Sequence, residues 1–195
     1  MIASPQRHYM SADEYLAWES RQDIRHEYCD GEVFAMTGGT KGHNRLAINL
    51  LNKLLDRVDA DGCEINTSDV KVMVREGRSY RYPDLIVSCD ERDKIEAEFY
   101  QFPKLIVEVL SPSTEILDKK FQEYIEIPTL EEYILINAER IQVECFRRGE
   151  GRMWLYSAYK PGEVIPIESV GVEIATEQLY RNVRLDASER PEDES

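Results

Sequence analysis

The sequence predicts an α/β fold in which a small mixed sheet is flanked by helices, and three observations carry that expectation. One long segment shows the apolar period of a helix, two short apolar runs read as strands covered on both faces, and the elements follow one another as helix, three strands, helix, strand. A chain of 195 residues suits one domain with a continuous core, expected over residues 1–185.

The elements follow in order. Ser11-Ala12-Asp13-Glu14 reads as a capping box, so a short helix carrying Tyr15, Leu16 and Trp18 opens the domain. Asp30-Gly31 lies between Arg25-His26-Glu27-Tyr28-Cys29 and Glu32-Val33-Phe34-Ala35-Met36. It fits a type I′ hairpin, whose two central residues need positive φ. Leu46, Leu50, Leu51, Leu54, Leu55 and Val58 fall at helical spacing and predict a helix over 41–59, ending at Gly62. Val70, Val72 and Val74 alternate with Lys71, Met73 and Arg75 as in a half-exposed strand. Asp84-Leu85-Ile86-Val87 and the run 104–110 are apolar on both faces, as central strands of a covered sheet must be. A helix over 118–126, a strand at 133–136 and a hairpin of 142–147 with 153–159 complete the pattern, the hairpin extending one edge of the sheet. The residues 186–195 form an acidic tail, expected to be disordered.

Composition removes several functions. No run approaches the roughly 18 apolar residues of a membrane span, and Met1 to Met10 lacks a basic cluster followed by an apolar stretch, so the expected location is cytoplasmic, with no membrane partner. Cys29, Cys63, Cys89 and Cys145 lie far apart without a CxxC pair, which points to reduced thiols rather than zinc or a disulfide framework. Charge cuts against a simple nucleic-acid footprint: 24 basic against 38 acidic residues leave −14, a field that repels polyanions.

Two carboxylates stand out. Glu108 is the one charged side chain inside the strand 105–110, and a buried carboxylate must be neutralised, paired or bound to a metal. Asp84 follows Pro83 at the start of a strand expected beside it, and the proline suits a strand's first position. Two acids meeting at neighbouring strand ends repel each other, and a hard divalent cation on oxygen ligands relieves the repulsion, which favours Mg²⁺, Mn²⁺ or Ca²⁺ over zinc. Singly, each has an ordinary reading as well, as a solvated edge residue or a turn residue.

The runs Tyr82-Pro83-Asp84-Leu85-Ile86-Val87, Pro103 to Thr114 with its Glu108-Val109-Leu110-Ser111-Pro112-Ser113-Thr114 signature, and Lys120-Phe121-Gln122-Glu123-Tyr124 resemble the Uma-type restriction-endonuclease-like family of the PD-(D/E)xK nuclease superfamily. The likeness extends to Tyr28-Cys29-Asp30-Gly31-Glu32, His43-Asn44, Ser68-Asp69-Val70 and Glu132-Tyr133. It implies a restriction-endonuclease-like core with extra β-hairpins at the edge. It also implies a metal-dependent endonuclease in which Asp84 and Glu108, with the carbonyl of Val109, hold Mg²⁺ or Mn²⁺. The superfamily lysine two residues after the glutamate is replaced here by Leu110. The family's helical lysine makes Lys120 the catalytic candidate and Lys119 its rival.

Weaker candidates remain open between two readings. Asp69 matches a family acid or is a turn residue, Glu32 reaches the metal or lies in solvent, and His43 contacts a phosphate or water or is bonded to backbone. Tyr124, one turn after Lys120, buttresses the lysine. Arg75, Arg78 and Arg81, with Lys119 and Lys120, form a basic rim or are merely solvated. The expected partner is nucleic acid, DNA first, bound by a homodimer that gathers its basic residues in one cleft. The alternatives are a nuclease fold turned binding or regulatory module and a hydrolase of small phosphate esters.

Overall fold

The computed structural model describes residues 9–36, 38–95, 98–110 and 117–185, with no side-chain detail for 117–119; the acidic tail expected at 186–195 lies outside this range. The elements run α1 (Ala12–Glu19), β1 (His26–Cys29), β2 (Glu32–Ala35), α2 (Lys41–Ala60), β3 (Glu64–Thr67), β4 (Lys71–Val74), β5 (Ser79–Arg81), β6 (Leu85–Ser88), β7 (Phe99–Tyr100) and β8 (Leu105–Leu110). They continue with α3 (Leu117–Tyr124), β9 (Glu132–Asn137), β10 (Val143–Arg148), β11 (Trp154–Tyr159), β12 (Val164–Ile167), β13 (Val172–Ala175) and α4 (Thr176–Leu179). Among the described residues no helix is long and apolar enough to cross a membrane.

A six-stranded mixed sheet in the order β11-β10-β9-β8-β6-β3 is the centre of the fold. Its one parallel pair is β8 with β9, and the helical crossover between them carries α3. The β10–β11 hairpin extends the edge beyond β9, as the sequence predicts. α2 is capped by Thr40, whose hydroxyl accepts the His43 N–H, and its Leu46, Leu50, Leu54 and Val58 lie on one sheet face. There they meet Leu85, Val87, Leu105, Val107 and Val109, with the β12–β13 hairpin completing the cluster.

The opposite face carries Ile86, Ile106, Tyr133 and Leu135, covered by Tyr124 of α3 and by Val72 and Val74 of β4. β4 belongs to a second sheet, ordered β2-β1-β5-β4-β7, so the alternating strand at 70–74 does not join the central sheet. Its alternation is real, with Val72 and Val74 buried, and their side packs in the cluster of Ile86, Ile106 and Tyr124. The β1–β2 hairpin turns through Asp30 at φ 48° and Gly31 at φ 96°, the positive pair a type I′ turn requires. A Cβ on Gly31 would stand 2.5 Å from the Tyr9 ring. α1 opens with the expected capping box of Ser11 and Glu14, and its Tyr15 stacks on Tyr28 of β1.

The cysteine expectation is corrected in part. Cys29 and Cys145 are buried free thiols, but Cys63 and Cys89 form a disulfide. They are 26 positions apart, yet the antiparallel β3–β6 register pairs Glu64 with Ser88, and one step further out the two cysteines face each other. Ladder register, not sequence spacing, made that pair.

Candidate active site

Asp84 and Glu108 come together because β6 and β8 are antiparallel neighbours. Leu85 pairs with Val107, and the same register continued by one residue sets Asp84 opposite Glu108. β6 has ended there, so no backbone carbonyl is available to Val109; the Asp84 side chain takes over, Oδ2 accepting the Val109 N–H at 2.7 Å. The other oxygen accepts from His43 Nε2 at 2.8 Å, from the first turn of α2. That bond holds the His43 imidazole above its usual range. Strand alternation turns the Leu110 carbonyl toward β9, where it accepts the Ala138 N–H. It therefore turns the Val109 carbonyl the other way, to the side of Asp84.

Glu108 lies on the α3 side of the sheet, buried, its Oε1 accepting from Tyr124 Oη at 2.9 Å and from Lys120 Nζ at 3.1 Å. Burial pushes its pKa up to about 7, against the pull of Lys120 and with the charges of Asp84 and Glu27 adding to the rise. Lys120 is itself buried, which works against its charge, but Glu108 and Glu27 outweigh that and hold the ammonium above its ordinary value. The lysine is therefore a fixed cation near neutral pH.

Its second partner, Glu27 Oε1 at 2.9 Å, comes from β1 in the other sheet. Glu27 also accepts from Arg81 Nη1 at 2.9 Å, and Arg81 grips Glu123 through two bonds of 2.9 and 3.0 Å. The chain of ion pairs thus crosses between the sheets as Glu108, Lys120, Glu27, Arg81, Glu123. With Asp84, whose own partner is His43, the group gathers four carboxylates, and the Arg75 guanidinium reaches Glu123 at 3.9 Å. The Tyr133 hydroxyl, buried and within the field of both acids, has no hydrogen-bond partner among the described residues.

Those features fit a hard cation: oxygen donors, clustered carboxylates and one acid whose pKa burial has raised. The protein donors would be two carboxylates and a backbone carbonyl, since among the described residues no group of three or more His, Cys, Asp or Glu side chains is placed to hold a metal. Mg²⁺, which keeps several of its waters, is satisfied by so few protein ligands.

Residues 12–177 match the Uma2 family, described as "Putative restriction endonuclease". The chain belongs to the Uma2 family. Two relatives from Synechocystis are named only as uncharacterized. The protein slr1290 is 36% identical over 176 residues, covering 89% of this chain and 93% of its own. The protein sll1609 is 36% identical over 151 residues, covering 75% and 85%. A solved structure from Anabaena variabilis, described as a "putative nuclease belonging to DUF820", superposes with a TM-score of 0.71 over 88% of this chain and 97% of that one. At 16% identity this likeness shows the fold, and it is the mixed-sheet architecture the sequence predicts.

In this Uma2 chain the candidates divide sharply. Asp84, Glu108, Val109, Lys120 and His43 converge, although His43 meets a carboxylate rather than backbone alone. Tyr124 bonds Glu108 instead of bracing the lysine. Asp69 lies in the turn between β3 and β4, its side chain 81% exposed and 3.6 Å from Arg25, so of its two readings the turn is the one found. Glu32 stands on β2, the outer strand of the second sheet, opposite Cys29. The side chain of Lys119 lies outside the described residues. The basic rim is not free: Arg81 is buried between acids, and Arg75 and Arg78 are engaged with Asp30 at 3.1 and 2.7 Å. Glu27 is the residue sequence reasoning missed; the signal was a lone carboxylate in a hairpin strand, which reads as solvent-facing until Lys120 and Arg81 are seen to close on it.

Proposed function

We propose that this chain is a metal-dependent endonuclease that hydrolyses phosphodiester bonds of nucleic acid, with DNA as the first substrate to test. The observation that carries the reading is the single arrangement of Asp84, Glu108 and Lys120. Two acids face each other across a strand pair, and a protonated lysine lies 3.1 Å from one of them. Asp84, Glu108 and the Val109 carbonyl would hold Mg²⁺ or Mn²⁺, which when bound would supply Lewis-acid polarisation of the phosphate and a more acidic water.

The chain's own side chains divide the remaining work. Lys120, kept cationic by Glu108 and Glu27, stabilises negative charge accumulating on the phosphate oxygens rather than accepting a proton. Glu27 and Arg81 fix the ammonium's position from the second sheet. His43 orients Asp84 through Oδ1. Leu110, standing where the superfamily has its lysine, needs no replacement at that position because Lys120 delivers the charge from α3. That placement is why turnover is favoured over a binding module without catalysis.

The test is direct. Purified protein is incubated with single-stranded, double-stranded and structured DNA and RNA in Mg²⁺ or Mn²⁺, beside Asp84→Asn and Lys120→Met. Cleavage by the parent and its loss in both variants is the expected result. Intact substrates throughout, together with unchanged calorimetric metal binding in Asp84→Asn, would end the proposal.

A further inference from the structure

A cavity of about 520 Å³ opens beside Asp84, between the first turns of α2 and the turn after β3. That volume is within the roughly 300–1,000 Å³ typical of small-molecule sites. Asn44, Ala47, Ile48 and Leu51 line it from α2, at positions i, i+3, i+4 and i+7 of one helix face. Thr67 and Ser68 close the opposite wall, and Asp84 with His43 forms the end nearest the acids. Ala47 and Leu51 also pack on the core, whereas Ile48 is no part of that cluster and is only half-buried. An aliphatic wall is therefore presented to a space bordered by an amide and two hydroxyls.

We infer that this cavity receives one unpaired nucleotide next to the scissile phosphate, so that the chain acts on single-stranded or locally opened nucleic acid rather than on a closed duplex. The inference rests on the nuclease reading above and adds the substrate's form. An aliphatic wall takes the face of a base, and the Asn44 amide, with the Thr67 and Ser68 hydroxyls, offers donors and acceptors to an edge that pairing would otherwise occupy. A duplex footprint needs a track of free cations to displace counterions. Here Arg75, Arg78 and Arg81 are held by carboxylates, Lys41 is the one lysine or arginine lining the cavity, and the whole chain carries −14. Recognition must then come from burying a base more than from attracting a backbone.

The test reads binding without cleavage, in buffer with Ca²⁺ in place of Mg²⁺, by fluorescence anisotropy of a labelled thymidine dodecamer and a blunt duplex of equal length. The single strand should bind more tightly. Ile48→Trp, which fills the space from a half-buried position, should weaken it roughly tenfold or more, the loss of one base contact. Asn44→Ala, at an exposed position, should weaken it several-fold, and both variants should leave thermal unfolding and duplex affinity unchanged. Equal affinity for the duplex, or an Ile48→Trp protein that binds the dodecamer as before, overturns the inference. So does thymidine monophosphate competing as well as the dodecamer, which would mark a site for free nucleotides. A protein that binds the strand this way yet cuts nothing sinks the hydrolysis and leaves the subsite standing; cleavage that Ile48→Trp leaves intact does the reverse.

Discussion

The two faces of the central sheet are built on opposite principles. Beneath α2 the packing is mainly aliphatic, from Leu46 to Val58 against Leu85, Val107 and Ile134. Beneath α3 the sheet buries Glu108, with Glu27, Arg81 and Glu123 behind it and the largely covered Lys120 between them. The first face supplies burial free energy and asks for no specific partner. The second must satisfy each charge with another, and the raised pKa of Glu108 shows that it does so incompletely. Both faces bury apolar side chains, and the α3 face carries this chain of charges as well.

Substitutions can break that division. Arg81→Met should have the largest effect, about 3–5 kcal/mol of lost stability in urea unfolding, because it leaves Glu27 and Glu123 buried without their cation. Leu50→Ala should cost about 2–5 kcal/mol by opening a cavity under α2, while calorimetric Mg²⁺ affinity stays as it was. If Leu50→Ala disturbs the proposed metal site as strongly as Arg81→Met, the faces are not separable.

Glu108→Gln should act in the opposite direction. Removing a charge that burial disfavours should stabilise the metal-free protein by about 1–3 kcal/mol above pH 7, while abolishing cleavage. The pH course has a defined sign. A carboxyl whose folded pKa of about 7 exceeds its ordinary 4.5 contributes its full stability below about 4.5 and loses it as the pH rises through 7. Melting temperature without metal should therefore fall over that window, Glu108→Gln should flatten the fall, and Mg²⁺ should restore the parent at high pH. Parallel profiles for parent and variant would remove Glu108 as the frustrated group. Ser11→Ala, on neither face, should cost about 1 kcal/mol through the lost cap of α1 and sets the lower scale.

What the sequence disclosed follows the same division. α2 announces itself because an aliphatic face leaves a period in the chain, β6 and β8 because burial on both faces leaves an unbroken apolar run, and Asp30-Gly31 marks its turn through local φ requirements alone. Asp84 and Glu108 were legible as anomalies against those patterns. β3, reading Glu-Ile-Asn-Thr, and β5, reading Ser-Tyr-Arg, were not. The first is a half-buried outer strand with little apolar contrast. The second buries an arginine that only acids 54 and 42 positions away can accommodate. Glu27 was hidden for the same reason, and Cys63 with Cys89 because their meeting depends on the register of β3 against β6. Pairings made by tertiary contact leave no local trace.

The double anchoring of Asp84 has a consequence for how an ion would be captured. With one oxygen tied to an amide and the other to an imidazole, the carboxylate has already given up its rotamer freedom, yet each oxygen keeps a second lone pair. Arrival of a cation would then freeze no further torsion at this residue, and the entropic toll of ligation was collected when the chain folded.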